Sequence, residues 1–205
     1  MKIERLILGM LDTNCWLVSD DEGGPLVVID PAGDPDDLLA AVGGRPVASV
    51  VLTHGHFDHL GAARAVVEAT AAPLLVHEAD AASITSAERN GGAVFGFLDT
   101  APPATGTLAD GDTIVAGDLR LNVLHTPGHT PGCICLIGDG HLFSGDTLFA
   151  GSVGRTDFLG GDARAIRDSV ARLSGLPDET RVHPGHGPDT SIGRERRVNP
   201  FFPRA

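Results

Sequence analysis

The stretch Thr53-His54-Gly55-His56-Phe57-Asp58-His59 constrains this chain more than any other, because it sets three imidazoles and a carboxylate directly behind an apolar run. That run, Val47 to Leu52, reads as a buried strand, and Leu60 to Thr70 carry apolar residues at helical spacing. The donors therefore sit where a strand ends. Side chains of extended chain alternate with period two, so His54 and His56 point the same way and can reach one cation. Gly55 between them lets the backbone bend close to it. Asp58 and His59 project from the turn into the helix in a different direction, which predicts a second metal beside the first. Histidines that merely decorate the loop, or cap the helix, are the plainer alternative. Four donors at workable spacing weigh against it, provided partners arrive from elsewhere in the chain.

At 205 residues and 42% hydrophobic content, the chain is long enough to bury a substantial core, and no linker divides it. Its 27 glycines and 14 prolines are scattered between apolar runs as loop punctuation, so one domain over 1–205 is expected. Glu4 and the short run Leu6 to Leu11 do not make a signal peptide, and no run is long enough to span a bilayer. Cys15, Cys133 and Cys135 read as buried thiols of a cytoplasmic protein. A net charge of −12, with one lysine against fourteen arginines, disfavours a grip on nucleic acid, which needs a cationic surface. The expected partner is a small molecule, with neither nucleic acid nor membrane.

Ile3 to Gly9, Asn14 to Ser19 and Leu26 to Ile29 are β-like, and Pro35 to Val42 reads as a helix capped by Asp34. After a strand at Leu74 to His77, residues 85–107 hold Gly91-Gly92, Phe95-Gly96-Phe97 and Pro102-Pro103, which is loop chemistry, either a lid or a plain surface loop. Strands follow near Leu119 to Leu124, Ile134 to Ile137 and His141 to Phe143, then a helix from Ala163 to Leu173 and a strand at Arg181 to Val182. Two halves, each of strands plus helices, predict an α/β sandwich of two packed sheets with helices outside.

The remaining donors also end β runs: His129 after Leu121 to Leu124, Asp146 after Leu142 and Phe143, His186 after Val182. His56, His129, Asp146 and His186 each follow a glycine, as expected where backbone crowds a small hard ion. Seven donors exceed the four-coordinate shell of one zinc. Two metals sharing a carboxylate use them all: His54, His56 and His129 on the first, Asp58, His59 and His186 on the second, Asp146 bridging, with a water completing both shells. His77, His125, His141 and His183 are read as non-ligands, with His125 or His183 as partners behind the ligands.

T-H-G-H-F-D-H, T-P-G-H-T-P-G (126–132), F-S-G-D-T-L-F (143–149) and P-G-H-G-P (184–188), in that order, resemble the metallo-β-lactamase superfamily, and within it the hydroxyacylglutathione hydrolase (glyoxalase II) branch. G-S-V-G-R-T-D-F (151–158) and S-I-G-R-E-R-R-V-N-P-F-F (191–202) are similar to the short bacterial glyoxalase II-like proteins, so the resemblance spans nearly the whole chain. It implies an αββα fold of two mixed β-sheets with helices on the outer faces, a binuclear site of zinc, iron or both, and the same seven ligands. It also implies that Arg155 contacts the thiol portion of the substrate, the alternative being an ion pair with Asp157 or Asp162. The chain has no tyrosine and ends at Ala205, without the helical extension of full-length glyoxalase II enzymes, which predicts loose recognition of glutathione.

Two divalent ions against Asp58, Asp146 and a bridging hydroxide leave about one positive charge, suited to an anionic acyl thioester such as S-lactoylglutathione. The expected reaction is attack of that hydroxide on the thioester to give a hydroxy acid and a free thiol, with Asp58 moving the proton. The alternatives are a persulfide dioxygenase with a single iron, a hydrolase of lactones or other esters, and a binding domain without catalysis. The complete ligand set argues against the last, since idle buried carboxylates are costly.

Overall fold

In the computed structural model, which describes residues 1–203, six strands form a first sheet in the order β1 (Lys2–Leu8), β2 (Thr13–Ser19), β3 (Leu26–Ile29), β4 (Val47–Val51), β5 (Leu74–His77), β6 (Gly106–Leu108). β1 to β3 pair antiparallel and β3 to β6 parallel. The second sheet contains β7 (Thr113–Ala116), β8 (Leu119–His125), β9 (Ile134–Gly138) and β10 (His141–Gly145), and a ribbon of β11 (Leu148–Phe149) and β12 (Ser152–Val153) follows in the chain. β13 (Arg181–Pro184) then pairs parallel with β10, and β14 (Thr190–Ser191) closes that edge antiparallel.

Period-two alternation builds the layers. Val27 and Ile29 of β3 face the second sheet, where Leu121, Val123, Ile134, Leu136 and Phe143 meet them around Trp16. Leu26 and Val28 face the other way, onto Leu38 and Val42 of α1 (Pro35–Val42) and Ala63 and Val66 of α2 (Ala63–Thr70). After α3 (Gly92–Phe95), the second sheet is covered by α4 (Ala163–Leu173), whose buried Ile166, Ser169, Val170 and Leu173 recur at i, i+3, i+4, i+7. Burial of each large apolar side chain there contributes about 1.5–3 kcal/mol, as an upper estimate. Asp162 caps that helix, accepting from the N–H groups of Arg164 (2.7 Å) and Ala165 (3.0 Å). The result is the expected αββα sandwich. Among the described residues no helix is long and apolar enough to cross a membrane.

Some elements differ from the sequence reading. The helix expected from Leu60 begins at Ala63, because Gly61 and Ala62 donate to Ala32 and Pro31 across the fold, and a single 3₁₀ turn spans Phe57–His59. Asp34 stands at the N-cap of α1 as expected, but with a left-handed backbone (φ 46°) and no side-chain cap bond; its carboxylate instead accepts the N–H of Gly9 at 2.7 Å. Residues 85–107 are not all loop. Gly91 and Gly96, at φ 83° and 82°, bracket the single turn of α3, and the segment ends in β6, an edge strand. The tail holds a further helix, α5 (Ile192–Val198), capped by Ser191.

Candidate metal centre

The turns after β4, β8, β10 and β13 meet, so both sheets deliver donors to one place. The donor atoms of His54, His56 and His129 lie within 4.8 Å of one another, as do those of Asp58, His59 and His186. A third grouping of the same tightness, His54, His59 and Asp146, joins the two. Asp146 spreads its oxygens over both: Oδ1 is 3.4 Å from His59 Nε2, and Oδ2 is 3.5 Å from His129 Nε2 and 3.6 Å from His186 Nε2. Asp58 Oδ2 lies 3.2 Å from His186 Nε2. All seven residues expected from the sequence are thus brought together.

The polar atoms themselves show that cations fit. His54 Nε2, His59 Nε2 and Asp146 Oδ1 are buried and, among the described residues, have no hydrogen-bond partner. Orphans of this kind cost about 1–3 kcal/mol each, a penalty that coordination removes. His129 Nδ1 can donate to the carbonyl of Arg155 at 2.8 Å, which leaves a lone pair on Nε2, only 2.8 Å from His56 Nδ1. Two such nitrogens need a proton or a cation between them. Imidazoles and carboxylates in two adjoining groups make this a centre for two divalent ions, zinc, iron or one of each.

On the protein's own groups alone, the charges are uneven. Burial, with the neighbouring imidazoles, pushes His54 well below the usual histidine range and His56 down to about 3. Burial acts the same way on His59, but Asp146, Asp58 and Asp30 outweigh it and raise that histidine. Burial would raise Asp58 and Asp146, yet the imidazoles around them, His59 foremost, hold both below the ordinary carboxylate value. Both carboxylates are therefore ionised and ready to bind a cation.

Behind the donors stand two aspartates that sequence reasoning missed. Asp30, buried at the end of β3, accepts from Thr53 N (2.7 Å) and Thr53 Oγ1 (2.7 Å) and lies 3.0 Å from His59 Nδ1. Its backbone is left-handed (φ 52°), a conformation that costs a non-glycine residue about 1 kcal/mol or more. Asp80 accepts from Gly55 N (2.8 Å), Thr130 Oγ1 (2.6 Å) and Gly132 N (2.9 Å), tying the first histidine loop to the loop of His129. Asp30 carried a signal, since an aspartate directly after Leu26-Val27-Val28-Ile29 repeats the pattern that marked the donors. Asp80, three residues beyond β5, carried none. Asn14 was also missed: its Nδ2 donates to the carbonyls of Pro184 and Gly187, each at 2.9 Å, clamping the loop of His186.

His125 and His183 do not back the ligands. His125 stacks on His77 at 4.0 Å and bonds to the carbonyl of Pro131, while His183 lies between His141 and Asp189. The glycines also need correction. A Cβ at Gly55 would meet Ser83 and Asp80, at Gly128 the backbone of Ile166, and at Gly145 the side chain of Thr53. Of these four glycines, Gly185 is the one that is small for the sake of the donors, with Asp146 Oδ1 and His59 Cε1 where its Cβ would lie. Gly185→Ala is expected to fold while losing metal affinity by about 10–100-fold, the scale of disturbing ligand supports, and chelator competition would check it. Unchanged chelator resistance would refute this reading of Gly185.

A hollow of about 190 Å³ opens over the donors, walled by Leu11, Phe57, Phe95, Phe158 and Arg155. Arg155 lies over the Phe158 ring (5.3 Å) and binds Asp157 through Nε (2.8 Å) and Nη2 (3.2 Å), the ion pair weighed from the sequence. Cys15, Cys133 and Cys135 are buried and free.

The chain is also similar to known proteins. A family model described as the metallo-beta-lactamase superfamily matches residues 8–186. The chain is similar to the crystal structure of BLEG-1 B3 metallo-beta-lactamase, with 34% identity and a TM-score of 0.92 over 98% of this chain and 99% of that one. TTHA1623, crystallised in a di-iron-bound form, shares 40% identity and a TM-score of 0.85 over 97% and 99%. Hydroxyacylglutathione hydrolase GloC of Haemophilus influenzae is 32% identical over 209 residues, covering 98% of each chain.

Proposed function

The chain belongs to the metallo-beta-lactamase superfamily and carries a binuclear-metal hydrolase site, and on that premise we propose that it is a thioester hydrolase of glyoxalase II type. The observation that carries the reading is the seven-donor centre, with Asp146 reaching both groups. Full-length similarity to a protein named as a hydroxyacylglutathione hydrolase supports the substrate class. A single iron on His54, His129 and Asp146 would leave His56, Asp58, His59 and His186 without a task. Three buried free cysteines suit a cytoplasmic setting.

In this reading His54, His56 and His129 would hold one ion, Asp58, His59 and His186 would hold the other, and Asp146 would reach both. Bound there, the ions supply Lewis acidity for the carbonyl and lower the pKa of a water to about 7. Asp58, ionised and facing the hollow, takes the proton of the attacking water and returns it to the departing thiolate. Phe57, Phe95 and Phe158 shield the reacting carbonyl from bulk water. Arg155 must exchange Asp157 for a carboxylate on the thiol carrier, so its contribution is the small one of an exposed, solvent-screened pair. Arg155→Ala is accordingly expected to raise KM about 1.5- to 5-fold for carboxylate-bearing carriers and to spare uncharged ones. An equal loss on both would make Arg155 a structural residue.

Metal analysis with a substrate panel tests the assignment. Two metals per chain and turnover of S-lactoylglutathione or a related hydroxyacyl thioester are expected. A reproducible single iron with oxygen uptake on glutathione persulfide, or a β-lactam cleaved faster than any thioester, would overturn it.

A further inference from the structure

We propose that the acyl arm of the substrate is apolar and uncharged and lies in a groove running from the metal centre beneath the turn between β1 and β2; this rests on the thioester-hydrolase reading. The groove is a second hollow of about 340 Å³, walled by Met10, Leu11, Pro35, Phe57 and Phe97. It shares Leu11, Phe57 and Asp58 with the hollow over the donors, so a molecule whose carbonyl sits at the metals can extend into it without leaving protein surface.

The apolar surface there is unusual in its exposure and in how firmly it is held. Met10, 75% exposed, and Leu11, 50%, wall the groove, and Phe95, 54% exposed, walls the adjoining hollow that shares Leu11 with it. The turn that carries Met10 and Leu11 is pinned at both ends. Gly9 N donates to Asp34 at 2.7 Å, and His186 Nδ1 lies 3.2 Å from the Leu11 carbonyl. Phe57 stacks on Phe97 at 5.2 Å, which fixes the opposite wall. A preorganised apolar surface in register with a metal donor is suited to holding a flexible hydrocarbon chain.

Charge selects the arm. The ionisable residues of the groove are Asp34, Asp58 and Asp99, and among the described residues lining the two hollows Arg155 is the one arginine or lysine. Arg155 lies in the other hollow, beside Phe158. A carrier bearing carboxylates is directed toward Arg155, and the groove, acidic at its rim, admits an uncharged chain. The anionic thioester expected from charge counting then carries its charge on the thiol carrier and not on the acyl arm.

The test is a pair of thioester series on the metal-loaded protein: acetyl, butyryl and hexanoyl esters of N-acetylcysteamine, and acetyl esters of thiols of rising alkyl length. Each methylene buried in a half-open groove should raise kcat/KM about two- to threefold in the acyl series, somewhat less than full burial would give, and leave the thiol series flat. Competitive inhibition by hexanoate should exceed that by acetate in the same proportion. Met10→Ser and, separately, Phe97→Ala should flatten the acyl trend and the carboxylate trend together. A flat acyl series, a trend that follows the thiol arm, or trends kept in both metal-replete variants would overturn the groove assignment alone. No turnover of any thioester by protein holding two metals would overturn the thioester-hydrolase reading as well.

Discussion

Asp146→Asn should cut activity about a thousandfold or more and lower occupancy at both metal positions, the largest single effect expected in this protein. Among the described residues, this carboxylate is the one whose two oxygens approach His59 on one side and His129 on the other, within 3.4 and 3.5 Å. An amide removes its charge and replaces one acceptor by a donor aimed at imidazoles. Loss of several kcal/mol of transition-state stabilisation corresponds to about a thousandfold or more in kcat/KM. Metal content after dialysis should fall from two per chain to below one. His186→Ala should empty mainly the position it shares with Asp58 and His59, since its side chain, 28% exposed, lies at the edge of the cluster. Two retained metals with normal turnover in Asp146→Asn would show that Asp146 does not bridge.

Asp30→Ala ranks second, and it acts without touching a metal. Its carboxylate satisfies Thr53 N, Thr53 Oγ1 and His59 Nδ1 in a fully buried setting. Deleting it strands at least two buried donors at about 1–3 kcal/mol each, so denaturant unfolding should show a loss of about 2–6 kcal/mol. Asp30→Asn keeps the shape but presents an amide N–H₂ to groups that are themselves donors. It should fold and yet bind metal about 10–100-fold more weakly, because His59 loses the partner that sets its tautomer and orientation. Chelator competition on Asp30→Asn separates the two effects. Wild-type affinity there would mean that Asp30 serves the fold and not the metal.

Local pattern alone was enough for the donors. His54, His56, His129, Asp146 and His186 each stand just beyond a β run, and a polar metal-binding side chain at a strand end is visible within a few residues of sequence. Apolar runs likewise marked Leu26 to Ile29 as a strand and Ala163 to Leu173 as a helix. Helix starts were less legible. Whether Leu60 or Ala63 opens α2 depends on Gly61 and Ala62 bonding to Ala32 and Pro31, some thirty residues away.

What tertiary structure decided follows from the same difference in range. Asp30 and Thr53 lie 23 residues apart, Asp80 and Gly132 lie 52 apart, and Asn14 and Pro184 lie 170 apart, so no window of sequence pairs them. Only packing of one sheet on the other places Asp80 and Asn14 against loops of the opposite half. The same holds for the mouth of the site, where Met10 and Leu11 of a hairpin turn meet Phe57 and Phe97 from two other segments. The metal chemistry was legible without the fold, because ligand identity is a property of residues at strand ends. Which aspartates support those ligands, and which arm of a substrate finds an apolar wall, are properties of distances closed by folding.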